Sequence, residues 1–317
     1  MLGTAHQDER SLWSIILAGG EGQRIGSTIQ GWLGRRLPKQ YCVFTGSRSM
    51  LQHTVDRADR VSQPDRKITV IDRGHHEEAR RQLQHRRGRV VDQPADCDTA
   101  AGVFLPLTYV RAQDPTALVV VFPSDHFVYP EQEFIEIVQR AVRAANAVRD
   151  KVLLLGVRPE GLEPDYGWIH LGDRIEQGGE FDLHAVKAFL EKPGPTKAKA
   201  ALAAGALWNT LVMVSRVETL WRLGWRALPA MMQLFDRLEK AVGTEDEEAV
   251  LASVYLTMPH RNFSFDVLQP VPSHVAVMEV RGVLWSDWGR PERIVDSLQR
   301  IGKQPAFSEA RGYGKVG

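Results

Sequence analysis

Residues 13–24 read Trp-Ser-Ile-Ile-Leu-Ala-Gly-Gly-Glu-Gly-Gln-Arg, and no other stretch of the chain says more about its fold. Its apolar part, residues 13–17, is typical of a buried strand, and it ends in glycines that a packed element would not contain. Glycines let the backbone approach a ligand and turn its N–H groups toward an anion, while Arg24 and the later Lys39 add positive charge. The stretch therefore predicts a strand followed by a loop that binds phosphate.

Two known phosphate-binding motifs do not fit this loop. The dinucleotide-binding fingerprint requires a third glycine where Ile25 stands, and the nucleoside-triphosphatase loop requires a Gly-Lys-Ser/Thr ending that this loop lacks. An ordinary glycine-rich turn with two solvated cations is the alternative interpretation when the loop is read alone.

Length, charge and cysteine content restrict the class of protein. The 317 residues include 43% hydrophobic residues, enough for a substantial core, and the net charge of +1 creates no field for nucleic acid or a membrane surface. Cys42 and Cys97 are too few for a disulfide framework, and we find neither a signal peptide nor an 18-residue apolar span. We expect a cytoplasmic protein with a small-molecule partner and no nucleic-acid or membrane partner. The oligomeric state stays open, with a homodimer as one option.

Apolar runs alternate with helical patterns as far as about residue 157. Strands are predicted at residues 13–18, 67–71, 89–91, 117–122 and 152–157, and helices at 49–61, 75–86, 99–110 and 131–149. This alternation indicates an α/β fold, with a mostly parallel central sheet, helices on both faces and ligands beyond the carboxyl ends of the strands. Residues 1–12 are expected to form a loose leader, and residues 217–257 a small helical subdomain on the C-terminal side.

A carboxylate follows the most apolar predicted strand. Residues 117–122 are all apolar, and Pro123, Ser124 and Asp125 follow where this strand would emerge. A carboxylate beside a phosphate loop is the ligand that Mg²⁺ prefers, so Asp125 is a candidate metal ligand, although it would also suit a cap of the next turn. Asp287, in a turn with Gly289, is a second candidate.

The basic segment 73–89 is a candidate nucleic-acid surface that we reject. It contains three histidines and four arginines after Arg73 and before Arg89, but acidic and apolar residues interrupt it at helical spacing and no aromatic platform accompanies it. A solvated helix face is the better interpretation.

Several short segments occur in one order along residues 13–290, and together they resemble the mannose-1-phosphate guanylyltransferases, which are sugar-phosphate nucleotidyltransferases. After the glycine loop come Pro38-Lys39-Gln40, Pro123-Ser124-Asp125-His126, Tyr166-Gly167-Trp168-Ile169, Phe189-Leu190-Glu191-Lys192-Pro193, Trp208-Asn209, Ser264-Phe265-Asp266 and Trp285-Ser286-Asp287-Trp288-Gly289. The resemblance implies a Rossmann-like nucleotidyltransferase domain over residues 13–290, followed by a C-terminal helix and tail over 291–317. It also implies the conversion of GTP and mannose 1-phosphate to GDP-mannose and pyrophosphate by in-line, Mg²⁺-assisted attack.

By motif match, the resemblance assigns three sets of site residues. The nucleotide would be bound by Leu17, Ala18, Gly19, Gly20, Gly22, Arg24, Lys39, Gln93, Pro94, Thr99, Ser124 and Asp125. The sugar phosphate would be bound by Tyr166, Gly167, Glu191, Lys192, Asn209 and Asp266. Mg²⁺ would be coordinated by Asp125 and Asp287, and the catalytic residues would be Arg24, Lys39, Asp125 and Lys192.

Departures from the family pattern leave the substrates open. The family continues its first loop with Leu-Trp-Pro, whereas residues 25–27 are Ile-Gly-Ser, and Cys97 and Asp98 replace an arginine and an asparagine. Leu211 stands where the family has a glycine. The alternatives are another hexose 1-phosphate, another nucleotide (UTP, ATP or CTP), or a catalytically silent homologue that binds sugar nucleotides and regulates a partner.

Overall fold

The computed structural model describes residues 11–176 and 181–307. Its strands are β1 (Leu12–Ala18), β2 (Lys67–Asp72), β3 (Arg89–Gln93), β4 (Leu118–Pro123), β5 (Phe127–Tyr129), β6 (Val152–Val157), β7 (Trp168–Arg174), β8 (Leu183–Leu190), β9 (Leu207–Arg216), β10 (Val275–Val280) and β11 (Leu284–Ser286). Nine of them form one sheet in the order β3-β2-β1-β4-β9-β6-β10-β8-β7, and β5 pairs with β11 in a separate ribbon.

The large sheet is mixed, with a parallel half that carries the glycine loop. Strand β1 pairs in parallel with β2 on one side and with β4 on the other. Strands β8 and β9 run against the other seven. The predicted α/β fold with a mostly parallel centre is confirmed, and the apolar runs in β1, β4 and β6 explain it, because a strand covered on both faces has no solvent side.

Helices cover both faces of the sheet. They are α1 (Gly26–Leu33), α2 (Met50–Asp59), α3 (His76–Leu83), α4 (Asp98–Gln113), α5 (Glu131–Ala144), α6 (Pro195–Ala203), α7 (Val217–Ala227), α8 (Pro229–Glu239), α9 (Glu247–Tyr255) and α10 (Pro291–Arg300). Residues of α4, α7, α8 and α9 share one core with one face of the sheet, and residues of α2, α3, α5 and α6 share a second core with the other face. The predicted helical region 217–257 corresponds to α7, α8 and α9.

Element ends differ from the sequence predictions in a few places. Strand β1 already begins at Leu12, inside the predicted leader, whereas residues 1–10 lie outside the described residues. Helix α5 ends at Ala144 and continues as a single 3-10 turn rather than as the helix predicted to residue 149. The sequence does not predict helices α1 and α6, because glycines and lysines hide their periodicity.

A third, smaller core joins the two ends of the described chain. Ile29 of α1 packs in one cluster with Ile294 and Leu298 of α10, together with Phe44 and Trp288. Helix α10 is thereby held beside the segment that follows the glycine loop; residues 308–317 of the predicted tail lie outside the described residues. Across the part of the chain that the structure describes, no helix is both long and apolar enough to cross a membrane.

Candidate active site

The glycine loop and Asp125 are neighbours because their strands are neighbours. Strands β1 and β4 pair in parallel with Leu17 opposite Pro123, and the Ser124 N–H donates to the Leu17 carbonyl at 3.0 Å. Both strands therefore end at the same edge of the sheet. This edge is where ligands bind in open α/β sheets.

A buried glutamine holds the loop in shape. The Gln40 side chain is 2% exposed, and its amide donates to the carbonyls of Ala18 at 2.9 Å and Gly20 at 2.7 Å. Gly22 has a φ of 61°, and a Cβ there would lie 3.0 Å from the Lys39 nitrogen. Glycine is therefore required at position 22 for both its backbone conformation and the close approach of Lys39.

Lys39 connects two distant carboxylate segments. Its side chain is 4% exposed, and its ammonium lies 2.9 Å from Asp125 Oδ2 and donates to the Asp287 carbonyl. Burial opposes ionisation of Asp125, but the charges of Lys39 and His126 and the hydrogen bond from Lys39 together hold the pKa of that carboxyl below its ordinary value. Asp125 is therefore a carboxylate at neutral pH.

Asp287 is the most heavily hydrogen-bonded group of the site. Its Oδ1 accepts from the Tyr166 hydroxyl at 2.8 Å, the Gly289 N–H at 2.9 Å and the Arg293 guanidinium at 2.6 Å, and its Oδ2 accepts from Arg24 at 3.0 Å. Burial alone would raise the pKa of Asp287, but the charges of Lys39 and Arg293 and the hydrogen bonds from Gly289 and Tyr166 together lower it to well below the ordinary value. We call Arg24, Lys39, Asp125 and Asp287 the charged end of the site.

The charged end contains two carboxylates, which are the kind of oxygen ligand that a hard divalent cation prefers. Asp125 is 38% exposed at its side chain, and Arg24, which donates to Asp287 Oδ2, is 53% exposed and therefore free to swing away. The Lys39 ammonium lies against Asp125 Oδ2 and the Asp287 backbone carbonyl, so one positive charge is already held between the two segments. Two carboxylates with substrate phosphate and water are a normal environment for Mg²⁺.

A second group of predicted residues meets around Gly167. The pairing of β7 with β9 places Trp168 opposite Trp208, and the Asn209 N–H donates to the Gly167 carbonyl at 2.8 Å. A Cβ on Gly167 would lie 2.9 Å from Glu191 Oε2 and 3.2 Å from the Asn209 Cβ. Burial raises the pKa of the Glu191 carboxyl, and Lys192 only partly opposes this. We call Gly167, Glu191, Lys192 and Asn209 the packed end of the site.

The remaining predicted residues have less direct positions. Gln93 is buried with its Oε1 beside Gly19, while the Thr99 hydroxyl accepts from the Phe263 N–H at 2.8 Å. The Asp266 carboxylate accepts from the Asn262 N–H at 2.7 Å, within its own turn. Lys192 is 60% exposed and lies 3.8 Å from Glu191. The structure thus brings the four residues of the charged end together, and it brings Gly167, Glu191 and Asn209 of the packed end together. It places Asp266 in a local turn and the Lys192 side chain toward solvent.

Backbone strain is concentrated at the site. Within the described residues, the non-glycine residues with positive φ are Asp98, Lys192, Leu211 and Trp288, at 63°, 43°, 57° and 46°. Each of them lies in or next to a segment that the sequence singled out. Left-handed conformations of such residues cost free energy and are retained mainly where the surrounding structure imposes them, often at functional sites.

The sequence does not assign a role to two contributors. Gln40 stands within the quoted Pro38-Lys39-Gln40 segment, but its role as a support of the loop depends on contacts that appear only in the fold. Arg293 lies on the first turn of α10 and reaches both Asp287 and the Tyr166 hydroxyl, the latter at 2.8 Å. An arginine six positions after a candidate metal ligand is the only signal that the sequence offers.

A glycine loop, two carboxylates and two cations meet at one edge of the sheet, where the sequence predicts the binding of phosphorylated ligands. In agreement, the family model described as Nucleotidyl transferase matches residues 13–304. The chain therefore belongs to the nucleotidyl transferase family, and the fold predicted from the sequence is the fold of that family.

Individual relatives show which proteins of this family the chain is similar to. The mannose-1-phosphate guanylyltransferase of Escherichia coli K12 is 28% identical over 295 residues, which cover 89% of this chain and 58% of that protein. The Salmonella typhimurium protein of that description is 27% identical with the same coverage. A solved structure from Thermus thermophilus, described as a mannose-1-phosphate geranyltransferase, is 26% identical with a TM-score of 0.76 and covers 93% of this chain and 80% of that one. The chain spans 58% of the length of the two curated relatives.

Proposed function

We propose that this protein transfers a guanylyl group from GTP to mannose 1-phosphate, producing GDP-mannose and pyrophosphate. The observation that carries the proposal is the position of Lys39, buried beneath the glycine loop and in contact with both Asp125 and Asp287. The glycine loop, a buried cation and two carboxylate segments thereby meet at one point. The mannose-1-phosphate guanylyltransferases of Escherichia coli and Salmonella typhimurium support this choice of substrates.

The proposed reaction is a single in-line displacement. An oxygen of the sugar phosphate attacks the α-phosphorus of the nucleotide, a new P–O bond forms, and the bond to the β-phosphate oxygen breaks with its electron pair leaving on pyrophosphate. The attacking oxygen is already ionised at neutral pH, so the site needs no general base and no covalent intermediate. Catalysis then rests on positioning and on charge neutralisation.

The charged end performs most of this work. Backbone N–H groups of Gly19, Gly20 and Gly22 bind the triphosphate, and Arg24 and Lys39 neutralise its charge. Asp125 and Asp287 would coordinate Mg²⁺, which supplies positive charge against the phosphoryl oxygens when bound. Because the pKa of each aspartate lies below its ordinary value, both are available as ionised ligands at neutral pH.

The packed end binds the sugar in this proposal. Gly167 allows the close approach of Glu191 and Asn209, whose side chains would offer hydrogen bonds to sugar hydroxyl groups. Lys192, largely exposed, pairs with the sugar phosphate, and Asp266 supports this region from its turn. Tyr166 links the two ends, because its hydroxyl donates to Asp287 while Gly167 follows it directly.

The residues that depart from the family pattern bear on which substrates the protein uses. Asp98 carries a left-handed backbone and accepts from Asn262 at 3.2 Å, and its charge contributes to the raised pKa of Glu191. A carboxylate there changes the surroundings of both base and sugar relative to the family asparagine. A different nucleotide or hexose 1-phosphate is therefore the alternative within the same mechanism.

Pyrophosphate release separates these possibilities. Purified protein is incubated with Mg²⁺, mannose 1-phosphate and each of GTP, ATP, UTP and CTP, and the release is repeated with a panel of other sugar 1-phosphates. We expect release with GTP and mannose 1-phosphate. Release with another pair retains the mechanism and overturns the assigned substrates. No release with any pair, combined with measurable binding of GDP-mannose, would identify a silent sugar-nucleotide-binding protein.

A further inference from the structure

A second cluster of ligand-type side chains lies on the other side of the glycine loop. Glu21, Asp72 and His75 each present one ligand atom, and these atoms all lie within 4.8 Å of one another. We infer that these three residues bind a divalent transition metal ion, of the Zn²⁺, Co²⁺ or Mn²⁺ class, at a site separate from Asp125 and Asp287. This inference does not depend on the proposed reaction.

The local sequence Asp72-Arg73-Gly74-His75 explains how two of the ligands come together. Asp72 caps a 3-10 turn formed by residues 73–75, and its Oδ1 accepts from the Gly74 N–H at 2.7 Å. Asp72 stands at the start of this turn and His75 at its end, and their ligand atoms lie within 4.8 Å of each other. The hydrogen bond fixes one carboxylate oxygen and leaves the other as a ligand.

His75 is buried without the hydrogen bonds that a structural histidine would make. Its side chain is 9% exposed, and its Nδ1 is enclosed with no hydrogen-bond partner among the described residues. Its Nε2 lies 3.5 Å from Glu21 Oε1, which is longer than an ordinary hydrogen bond. A metal ion bound by the imidazole would give one of its two nitrogens a bonded partner.

The ring is held in place, and the third ligand is free to adjust. The Tyr41 ring packs edge-on against His75 with centroids 5.5 Å apart, which limits rotation of the imidazole. Glu21 is 49% exposed, so its side chain can close the remaining distance. Ligand atoms about 2.1 Å from a tetrahedral ion are separated by about 3.4 Å, so a movement of the Glu21 side chain would complete the site.

The sheet order separates this cluster from the charged end. Asp72 ends β2, Glu21 follows β1 and Asp125 follows β4, and β1 lies between β2 and β4. Neighbouring strands are about 4.8 Å apart, so the ends of β2 and β4 are separated by about 10 Å, too far for one ion to bind both. A cavity of about 870 Å³, lined by Glu21 and His75 among others, gives the ion access from solvent.

The mixture of ligands selects the class of ion. Two carboxylates alone would suit Mg²⁺ or Ca²⁺, whereas an imidazole nitrogen favours borderline transition ions. The two sites therefore differ in chemistry, because the charged end offers oxygen ligands and this cluster adds a nitrogen. Co²⁺ is a suitable probe, since its visible absorption reports the ligands that surround it.

The experiment titrates the full chain with Co²⁺ alone and follows visible absorption, with Zn²⁺ as competitor. We expect one ion per chain in a site with a nitrogen ligand, in addition to any ion that the oxygen ligands of the charged end bind. His75→Gln and Glu21→Gln should each weaken binding at least about tenfold, because even residues that only support a metal ligand are worth that much. His76→Gln is the matched control, since this adjacent histidine pairs with Asp92 at 2.7 Å and should leave binding unchanged.

Two further measurements keep the outcome decisive. Glu21 is half exposed, so Glu21→Gln should fold normally even if His75→Gln does not, as checked by circular dichroism. Asp125→Asn should retain the Co²⁺ spectrum. The inference is overturned if the wild type binds no Co²⁺, if His75→Gln and Glu21→Gln bind as the wild type does, or if Asp125→Asn abolishes the signal.

Discussion

The charged end and the packed end of the site are built by different means. At the charged end, Lys39 and Asp287 are almost fully buried, and each ionised group contacts at least one of opposite charge. At the packed end, Lys192 is 60% exposed with Glu191 at 3.8 Å, and the close approach of Gly167 fixes the geometry. Charge therefore preorganises one end, whereas backbone shape preorganises the other. Removing charge from the first and adding volume to the second should have different consequences.

Removing one carboxylate from the charged end should have the largest effect. Asp125→Asn keeps the shape of the side chain but removes its charge, so we expect kcat to fall by about 10²- to 10³-fold, because in the proposed reaction Asp125 holds the Mg²⁺ that neutralises the transition-state charge. Pyrophosphate release with saturating substrates measures the change. The variant should remain folded, since Asp125 is partly exposed.

The control for this variant is Asp65→Asn, on an aspartate that is 70% exposed and pairs with Arg87 at the surface. It should retain wild-type turnover. Turnover of Asp125→Asn above a tenth of the wild-type rate would remove Asp125 from the reaction and leave the charged end as a structural ion-pair network.

Asp287 should make the charged end sensitive to acid. Its pKa is lower in the folded protein than in the unfolded chain, so its stabilising contribution is present above about pH 4, the ordinary aspartate pKa, and is lost as the pH falls toward the folded value. At pH 7, Asp287→Asn should lower the free energy of unfolding by about 3 kcal/mol, as for other broken buried ion pairs. Urea unfolding at pH 7 and pH 3.5 measures the difference.

The loss caused by Asp287→Asn should therefore shrink at pH 3.5. A loss of the same size at both pH values would mean that the pKa of Asp287 is not lowered by its partners. In that case the charged end would be held by packing, as the other end is.

Arg293 should act as a positioning residue for Asp287. Replacing it by Met keeps an unbranched apolar stem but removes the donor to Asp287 Oδ1, and we expect kcat to fall by about 10- to 100-fold, the usual loss for a partner of a metal ligand. The Mg²⁺ concentration for half-maximal rate should rise, and Arg293→Lys should restore part of both.

Arg300→Met provides the matched control on the same helix. Arg300 forms ion pairs with Glu160 and Asp296 at the surface, and neither of these partners belongs to the charged end. If the two variants lowered the rate equally, with no shift in Mg²⁺ dependence, Arg293 would matter only for holding α10 in place.

The packed end should respond to shape rather than charge. Gly167→Ala places a methyl group 2.9 Å from Glu191 Oε2, so Glu191 must move, and we expect the KM for the sugar phosphate to rise by about tenfold, or 1.4 kcal/mol, with a smaller change in kcat. Gly161→Ala, where a Cβ meets no atom within 4 Å, should leave both constants unchanged. Equal KM values for wild type and Gly167→Ala would show that the packed end tolerates added volume.

The sequence is most informative where a residue's role depends on its own strand. Residues after β1 and β4 can be placed at one sheet edge because apolar runs mark parallel strands, and Asp125 follows such a run directly. The partners of Asp287 cannot be found in this way. Tyr166 lies 121 residues away in sequence, and its contact with Asp287 depends on how β7 and α10 pack rather than on any local pattern.

Local patterns also conceal some elements and one cluster. Helix α1 contains two glycines and a single buried residue, Ile29, so its periodicity is too weak to recognise. The segment from Arg73 has the pattern of a solvated basic face, and that pattern does not reveal that His75 turns inward beside Asp72. The charge content of a segment predicts what its surface attracts on average, whereas the orientation of a single buried ring depends on tertiary packing.

Leu211 offers the smallest but most direct test of the packed end. Its φ is 57°, and its N–H donates to Asn209 Oδ1 at 3.0 Å. A strained backbone therefore orients the side chain of a residue that is predicted to bind the sugar. Leu171 in β7 is its matched partner, because both leucines are partly buried against the same core and Leu171 has no positive φ. Glycine at either position loses apolar burial, but only at position 211 does it relieve about 1–2 kcal/mol of left-handed strain. Leu211→Gly should therefore cost less free energy of unfolding than Leu171→Gly by about that amount in urea titrations. Equal costs would mean that position 211 carries no strain, and the orientation of Asn209 would then depend on its strand pairing alone.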